Sequence, residues 1–202
     1  MGELEKLAAR FKGHEPELLG AKRSYAVLCP LVEREGGELH LLYEVRAAQL
    51  RQGGEVCFPG GRREPGETAE ECALRETEEE LRVPSGEVQL LGPMDFICNQ
   101  RGFLLRPFLG LVSPRGFAAM RPSPAEVAET FTVPLSYFQK TPPEIWRYDL
   151  TPQVPETFPY ESVGISRDYA WAGGQVEVPV WHWEKHVIWG MTARITKDLV
   201  KP

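Results

Sequence analysis

Residues 58–83 read FPGGRREPGETAEECALRETEEELRV, and the organisation of the whole chain follows from them. The stretch divides into a strand end, a Gly60-Gly61 turn, a Pro65-Gly66 turn and a helix, and it carries seven glutamates between Glu67 and Glu80 against one arginine, Arg75. Like charges three or four residues apart destabilise a helix, so a cation is expected to sit on this one. Thr68 followed three residues later by Glu71 is a capping box, which sets the helix start. At about 100° per residue, Glu76, Glu79 and Glu80 fall on one arc. Leu74, Thr77 and Leu81 gather on a neighbouring arc that predicts the core-facing side. The small residues Ala69, Cys72 and Ala73 leave room for the glycine turn to fold back, so that a Gly60 or Gly61 carbonyl can become a further oxygen ligand. Three carboxylates and a carbonyl suit Mg²⁺ or Mn²⁺ rather than zinc or copper. A hard divalent ion in turn suggests a phosphate substrate. Glutamates on a helix are ordinarily a solvated face, but here Gly61, Glu67, Arg75-Glu76 and Glu79-Glu80 fix six positions at once.

That spacing resembles the Nudix box of the Nudix hydrolases, a glycine-loop-helix motif that binds divalent metal and cleaves nucleoside diphosphates linked to another group. The resemblance implies a fold of the α/β (α+β) class, a mixed β-sheet sandwiched between helices with the metal site on the glycine-loop-helix. It implies that Glu76, Glu79 and Glu80 hold Mg²⁺ or Mn²⁺ with help from Gly61 or Gly60, and that Glu67 and Arg75 pair to orient the loop. Two positions depart from the motif: Thr77 stands where a large aliphatic residue is usual, and Arg82 where glycine is usual.

The longer segment LLYEVRAAQLRQGGEVCFPGG, residues 41–61, is similar to the extra signature upstream of the box in the coenzyme A pyrophosphatase branch. Leu41-Leu42, Arg46-Ala47, Arg51, Gly54 and Phe58 to Gly61 match in order, although both arginines are shifted by one residue and Tyr43 replaces a usual threonine. This implies a nucleotide substrate bound through Arg46 and Arg51. Hydrolysis of coenzyme A to 4′-phosphopantetheine and adenosine 3′,5′-bisphosphate heads the readings. ADP-ribose or another nucleoside diphosphate derivative is the alternative within enzymes, and a non-catalytic nucleotide sensor the alternative of another class. The acidic stretch before Val133-Pro134-Leu135 is also similar to a family segment that completes metal binding or proton transfer, which makes Glu126 the first candidate there and Glu129 the second.

A chain of 202 residues with 42% hydrophobic content is expected to form one domain, residues 1–202. The net charge of −6 argues against a general partner for nucleic acid or anionic membrane. Cys29, Cys57, Cys72 and Cys98 are scattered singly, with no secretory leader and no apolar run approaching the roughly 18 residues of a membrane span. A cytoplasmic protein is the expectation, the C-terminal Val-Lys-Pro not being a peroxisomal address. Assembly as a homodimer is compatible with all of this.

Residues 1–23 read as an N-terminal helix, with Leu4, Leu7, Ala8 and Phe11 at helical spacing, and a polar linker. Ser24–Val32 and Leu39–Arg46 read as a hairpin across Glu35-Gly36-Gly37, with Pro30 marking a bulge or an edge. Glu87–Ile97 and Phe103–Val112 read as two further strands, Arg115–Pro124 as a loop, and Val133-Pro134-Leu135 as the start of a short helix. Residues 140–175, rich in Pro, Tyr and Trp, are expected to form an irregular, packed cap near the cleft. Val176–Trp183 reads as a strand, Val187-Ile188 as the beginning of its partner, and about Gly190 to Val200 as a final helix. His182 and His186, four apart, read as packing or surface histidines rather than zinc ligands.

Overall fold

The structure is a computed structural model that describes residues 2–14 and 17–201. Helix α1 (Glu3–Phe11) precedes β1 (Arg23–Glu33), which is joined to β2 (Leu39–Arg46) through Gly36 and Gly37, both at positive φ. The short strands β3 (Val56–Cys57) and β4 (Gly60–Arg62) lead into helix α2 (Ala69–Leu81). Next come β5 (Val88–Pro93), β6 (Ile97–Asn99), β7 (Phe103–Val112), α3 (Pro114–Ala119), β8 (Val127–Pro134) and α4 (Leu135–Lys140). The chain ends with β9 (Glu144–Leu150), the single turn α5 (Tyr160–Val163), β10 (Gly174–Trp183), β11 (His186–Trp189) and α6 (Gly190–Leu199).

Strand β1 is the axis of the main sheet. It runs parallel to β7 from Arg23↔Phe103 to Val32↔Val112. On its other side it pairs antiparallel first with β4, up to Val27↔Gly60, and then with β2, from Leu31↔Leu41. Pro30 therefore lies neither at an edge nor in a bulge, as its sequence context suggested. The Leu28 N–H donates to the Pro59 carbonyl at 2.9 Å. Two residues on, the Pro30 nitrogen faces the same side, in the interval between β4 and β2 where no partner strand requires an N–H. Strand β2 continues the sheet to β8 and β3, β7 continues it to β5 and β6, and β9, β10 and β11 form a separate antiparallel sheet.

Alternation along the strands sets the layers. Ala26, Leu28, Val32, Leu42, Phe108 and Val112 are buried with Cys72, Ala73 and Leu81 of α2. Cys29, Leu31, Leu41, Tyr43 and Leu105 point the other way, into a second core with Phe138, Trp181, Ile188, Ala193 and Ile195. The sheet thus separates α2 from the layer made by α4, α6 and the second sheet, the mixed sheet between helices that the box implied. Leu4, Leu7 and Phe11 of α1 are exposed, as is every residue of that helix. No helix among the described residues is long and apolar enough to cross a membrane.

Several expectations need correction. Residues 144–150 form a regular strand: Ile-Trp-Arg-Tyr-Asp-Leu alternates with period two, and its aromatics lie in solvent rather than in a packed cap. Within the irregular part, Phe158, Tyr160, Tyr169 and Trp171 pack edge-to-face on one another. The expected loop at 115–124 opens with the short helix α3, N-capped by Ser113, whose Oγ accepts from the Gly116 N–H. Residues 87–97 do not form one strand: β5 carries a register shift between Leu90 and Gly92 and ends at Pro93, and β6 begins only at Ile97. Finally, Val127–Pro134 is a full strand on the β2 edge, which sequence reading took only as an approach to the following helix.

Candidate active site

Helix α2 is fixed at both ends by local chemistry. Thr68 Oγ1 accepts from the Glu71 N–H while the Glu71 carboxylate accepts from the Thr68 N–H, as the capping box predicts. At the other end Arg82 adopts φ 58°, ψ 32°, a left-handed stop that glycine adopts without strain. The buried stripe is Cys72, Ala73, Thr77, Glu80 and Leu81, with Leu74 only half-buried. Thr77 is tolerated there because its hydroxyl donates to the Ala73 carbonyl at 2.7 Å.

The glycine turn and the helix are shaped to each other. Strand β4 places Gly60 and Gly61 opposite Val27 and Ala26. A side chain at Gly60, where φ is 153°, would overlap the Ala26 carbonyl, and one at Gly61 would overlap the Glu76 carboxylate. The Gly60 N–H donates to Glu80 Oε2 at 2.7 Å, and the Gly61 carbonyl accepts from the Cys72 thiol at 3.7 Å.

Arg75 grips Glu67 with two bonds, Nε to Oε1 at 2.7 Å and Nη2 to Oε2 at 3.2 Å, and reaches Glu76 at 2.9 Å and Glu79 at 3.3 Å. The Arg75 guanidinium holds the Glu67 carboxyl down at about 2. The three glutamates that share an arc do not share an environment: Glu80 is buried, Glu76 half-buried, and Glu79 exposed.

The sheet contributes two more acids. Glu44 on β2 is 1% exposed, flanked by Cys57 on β3 and Thr130 on β8. Its Oε1 accepts from the Cys57 thiol at 3.2 Å, while its Oε2 is buried without a hydrogen-bond partner. Sequence reading passed over Glu44, although alternation puts it on the same face as the buried Leu42. Glu126 lies in the turn before β8, where its carbonyl accepts from the Ala47 N–H at 2.8 Å.

Burial and mutual repulsion act on this group together. Glu80 is pushed up to about 9, by burial first and then by the charge of Glu44, with smaller contributions from Glu76 and Glu126. Glu44 is pushed up to about 7, by burial, with Glu126 and Glu76 adding to it and Cys57 and Arg46 opposing. Glu76 is raised as well, chiefly by burial. Glu129, the second candidate of its stretch, is drawn elsewhere, to Lys185 at 2.9 Å and His186 at 3.3 Å. His186 stacks on Phe131 in the core, as a packing histidine, and His182 is exposed. Arg46 bonds the Arg51 carbonyl at 3.3 Å and lies against Cys57 beside the acids, whereas Arg51 is exposed.

Among the described residues, no three acidic, histidine or cysteine side chains stand together as a finished metal cage. Glu76 and Glu79 are turned onto Arg75, and Glu80 onto Gly60. The donor set nevertheless fits a hard divalent cation: it is all oxygen, and it is under-compensated, with an orphaned buried Glu44 oxygen and raised Glu44, Glu76 and Glu80.

A model of the NUDIX domain matches residues 22–154. The chain is 33% identical over 181 residues to the Nudix hydrolase NudL of Photorhabdus laumondii, covering 89% of this chain and 84% of that protein. It is 38% identical over 120 residues to the peroxisomal coenzyme A diphosphatase NUDT7 of Mus musculus, a match that spans 58% of this chain and half of the mouse protein. Among solved structures, a Nudix hydrolase from M. smegmatis, RenU, superposes with a TM-score of 0.50 at 22% identity, over 57% of this chain and 73% of that one, a likeness of fold.

Proposed function

The chain belongs to the NUDIX-domain family, and from that premise we propose that it hydrolyses the diphosphate linkage of coenzyme A, giving 4′-phosphopantetheine and adenosine 3′,5′-bisphosphate. The observation that carries the chemistry is the pair of buried carboxylates Glu44 and Glu80 beside the Gly60-Gly61 turn, both raised by burial and by the negative charges of Glu76 and Glu126, so that the pocket favours a positive charge. The activity in the name of the mouse relative, together with the Leu41–Gly61 signature, supports coenzyme A as the substrate.

Glu76, Glu79 and Glu80, with the Gly61 carbonyl, would hold Mg²⁺ or Mn²⁺. Such an ion supplies charge neutralisation at the phosphates and a bound water of lowered pKa. The Arg75–Glu67 grip keeps the loop docked on α2, so the carboxylates and the glycine turn are positioned before substrate arrives. Glu126, at the mouth of the cluster and only half-buried, takes the proton from the attacking water. Arg51, exposed on the turn before β3, meets the 3′-phosphate, for which a planar guanidinium fork is suited. Arg46 orients that turn from beneath through the Arg51 carbonyl.

The test is incubation of the protein with coenzyme A, ADP-ribose and nucleoside triphosphates in Mg²⁺ or Mn²⁺, with products identified by mass. Metal-dependent appearance of the two halves of coenzyme A is expected. Preference for ADP-ribose would overturn the substrate, and no turnover of any of them would overturn the enzymatic reading in favour of a nucleotide sensor.

A further inference from the structure

Strand β9 pairs on one side with β10, from Glu144↔Val180 to Leu150↔Gly174, and among the described residues no strand pairs with its other side. Free edges in natural proteins are blunted by proline, bulges, shortness or inward charges. This edge is seven residues long, has no proline within it, and keeps an unbroken register with β10. Along one face it presents Trp146, Tyr148 and Leu150, which are 64%, 52% and 42% exposed. Along the other it presents Arg147, bonded to Glu177 at 2.7 Å, and Asp149, bonded to Gln175 at 3.0 Å. The edge also opens onto a groove whose lining includes Phe96 and Met191, themselves exposed, so none of the described residues covers it.

We propose that this edge is the dimer interface of the protein, and that its occupant is β9 of a second copy. The argument is self-complementarity. An antiparallel pairing of β9 with itself, centred on Tyr148, sets Trp146 across from Leu150 of the partner chain and Tyr148 across from its own copy, on the apolar face. On the polar face the same register sets Arg147 across from Asp149 of the partner chain, twice, once on each side of the two-fold axis. Aromatic–aliphatic and opposite-charge cross-strand pairs are the stabilising kinds, and a two-fold axis is what a self-pairing strand requires. The neighbouring register, centred on Arg147, would oppose two arginines and is disfavoured for that reason. The joined three-stranded sheets make one continuous six-stranded sheet across the dimer.

The experiment is sedimentation velocity over about 1 to 100 µM protein, with wild type, R147D, D149R and an equimolar mixture of the two variants, folding being checked by circular dichroism. Wild type should sediment at twice the 22.8 kDa of the chain. Each single variant faces like charges across the axis and should dimerise at least about tenfold more weakly. The mixture should recover the dimer, because an all-acidic strand then meets an all-basic one. A wild type that stays monomeric over the whole range overturns the proposal, whether or not its Trp146 and Tyr148 then bind lipid vesicles. Single variants that dimerise like wild type, or a mixture that fails to recover, overturn it as well.

Discussion

Glu80→Gln should make the metal-free protein more stable at neutral pH while removing its activity. Glu80 is 5% exposed and is pushed up from 4.5 to about 9, by burial and then by the charge of Glu44. A carboxylate raised on folding binds more protons in the folded state, so stability is full below about 4.5 and falls as pH rises through the range up to about 9. At pH 7.5 the chain is about 3 pH units into that window, and at about 1.36 kcal/mol per unit the cost reaches up to about 4 kcal/mol. Glutamine escapes this cost and keeps an amide oxygen to accept from Gly60. With some of the gain lost to imperfect fit, about 1–3 kcal/mol remains, or roughly 3–8 °C in Tm for a chain of this size. Thermal melts followed by circular dichroism in excess EDTA, at pH 7.5 and pH 5, measure it directly. At pH 5 the advantage should shrink below about 1 kcal/mol, since little of the window has been crossed. Adding Mn²⁺ at pH 7.5 should raise the Tm of wild type more than that of the variant. An equal or lower Tm for Glu80→Gln at pH 7.5, or a gain that does not depend on pH, would refute the reasoning.

Glu126→Gln should lower kcat by about 10² or more, and Glu129→Gln, whose carboxylate is engaged by Lys185 and His186, by less than about threefold; similar rates for the two in steady-state assays would move the proton acceptor elsewhere. Arg51→Ala should raise KM for coenzyme A by roughly tenfold, a charge-assisted contact being worth about 1.5–3 kcal/mol, and leave dephospho-coenzyme A much less affected. Equal weakening of both substrates would mean that Arg51 only braces its turn. Arg82→Gly should raise Tm by about 2–4 °C in thermal melts, because a left-handed conformation costs a side-chain-bearing residue about 1 kcal/mol or more; an unchanged or lower Tm counts against strain at that cap.

What the sequence disclosed best was what local rules govern. The Thr68–Glu71 box, the Gly60-Gly61 turn and the spacing of Arg75, Glu76, Glu79 and Glu80 are short-range features, and the helix and its grip on Glu67 are found where they predict. Features set by distant partners were harder to see. Glu44 enters the cluster through pairing with Cys57 and Thr130, residues 13 and 86 positions away. The common arc of Glu76, Glu79 and Glu80 was correct as geometry, yet which of them is buried depends on where β4 and β1 lie. Glu126 and Glu129 are three residues apart and rank by resemblance alone; their surroundings differ because Glu126 lies in the turn before β8 while Glu129 pairs with Val45 inside it and meets Lys185 and His186. Strand β9 was legible as alternation, but exposed aromatics such as Trp146 and Tyr148 ordinarily signal packing, and the proline-rich flanks obscured the strand.

The parallel ladder between β1 and β7 has a constant offset of 80 residues, from Arg23↔Phe103 onward. As a folding problem, that ladder and the β2–β8 ladder, whose pairs lie 81 (Arg46↔Val127) to 94 (His40↔Pro134) residues apart, are the long closures of the main sheet, and making either early would sacrifice chain entropy with little local structure in return. Inside the β1–β7 loop, β2, β4 and α2 make shorter-range contacts with β1. A nascent chain emerging from the ribosome can therefore gather Glu44, Glu76 and Glu80 around the glycine turn before β7 is synthesised. Strands β7 and then β8 dock on that nucleus, and Glu126, in the turn before β8, joins the cluster last.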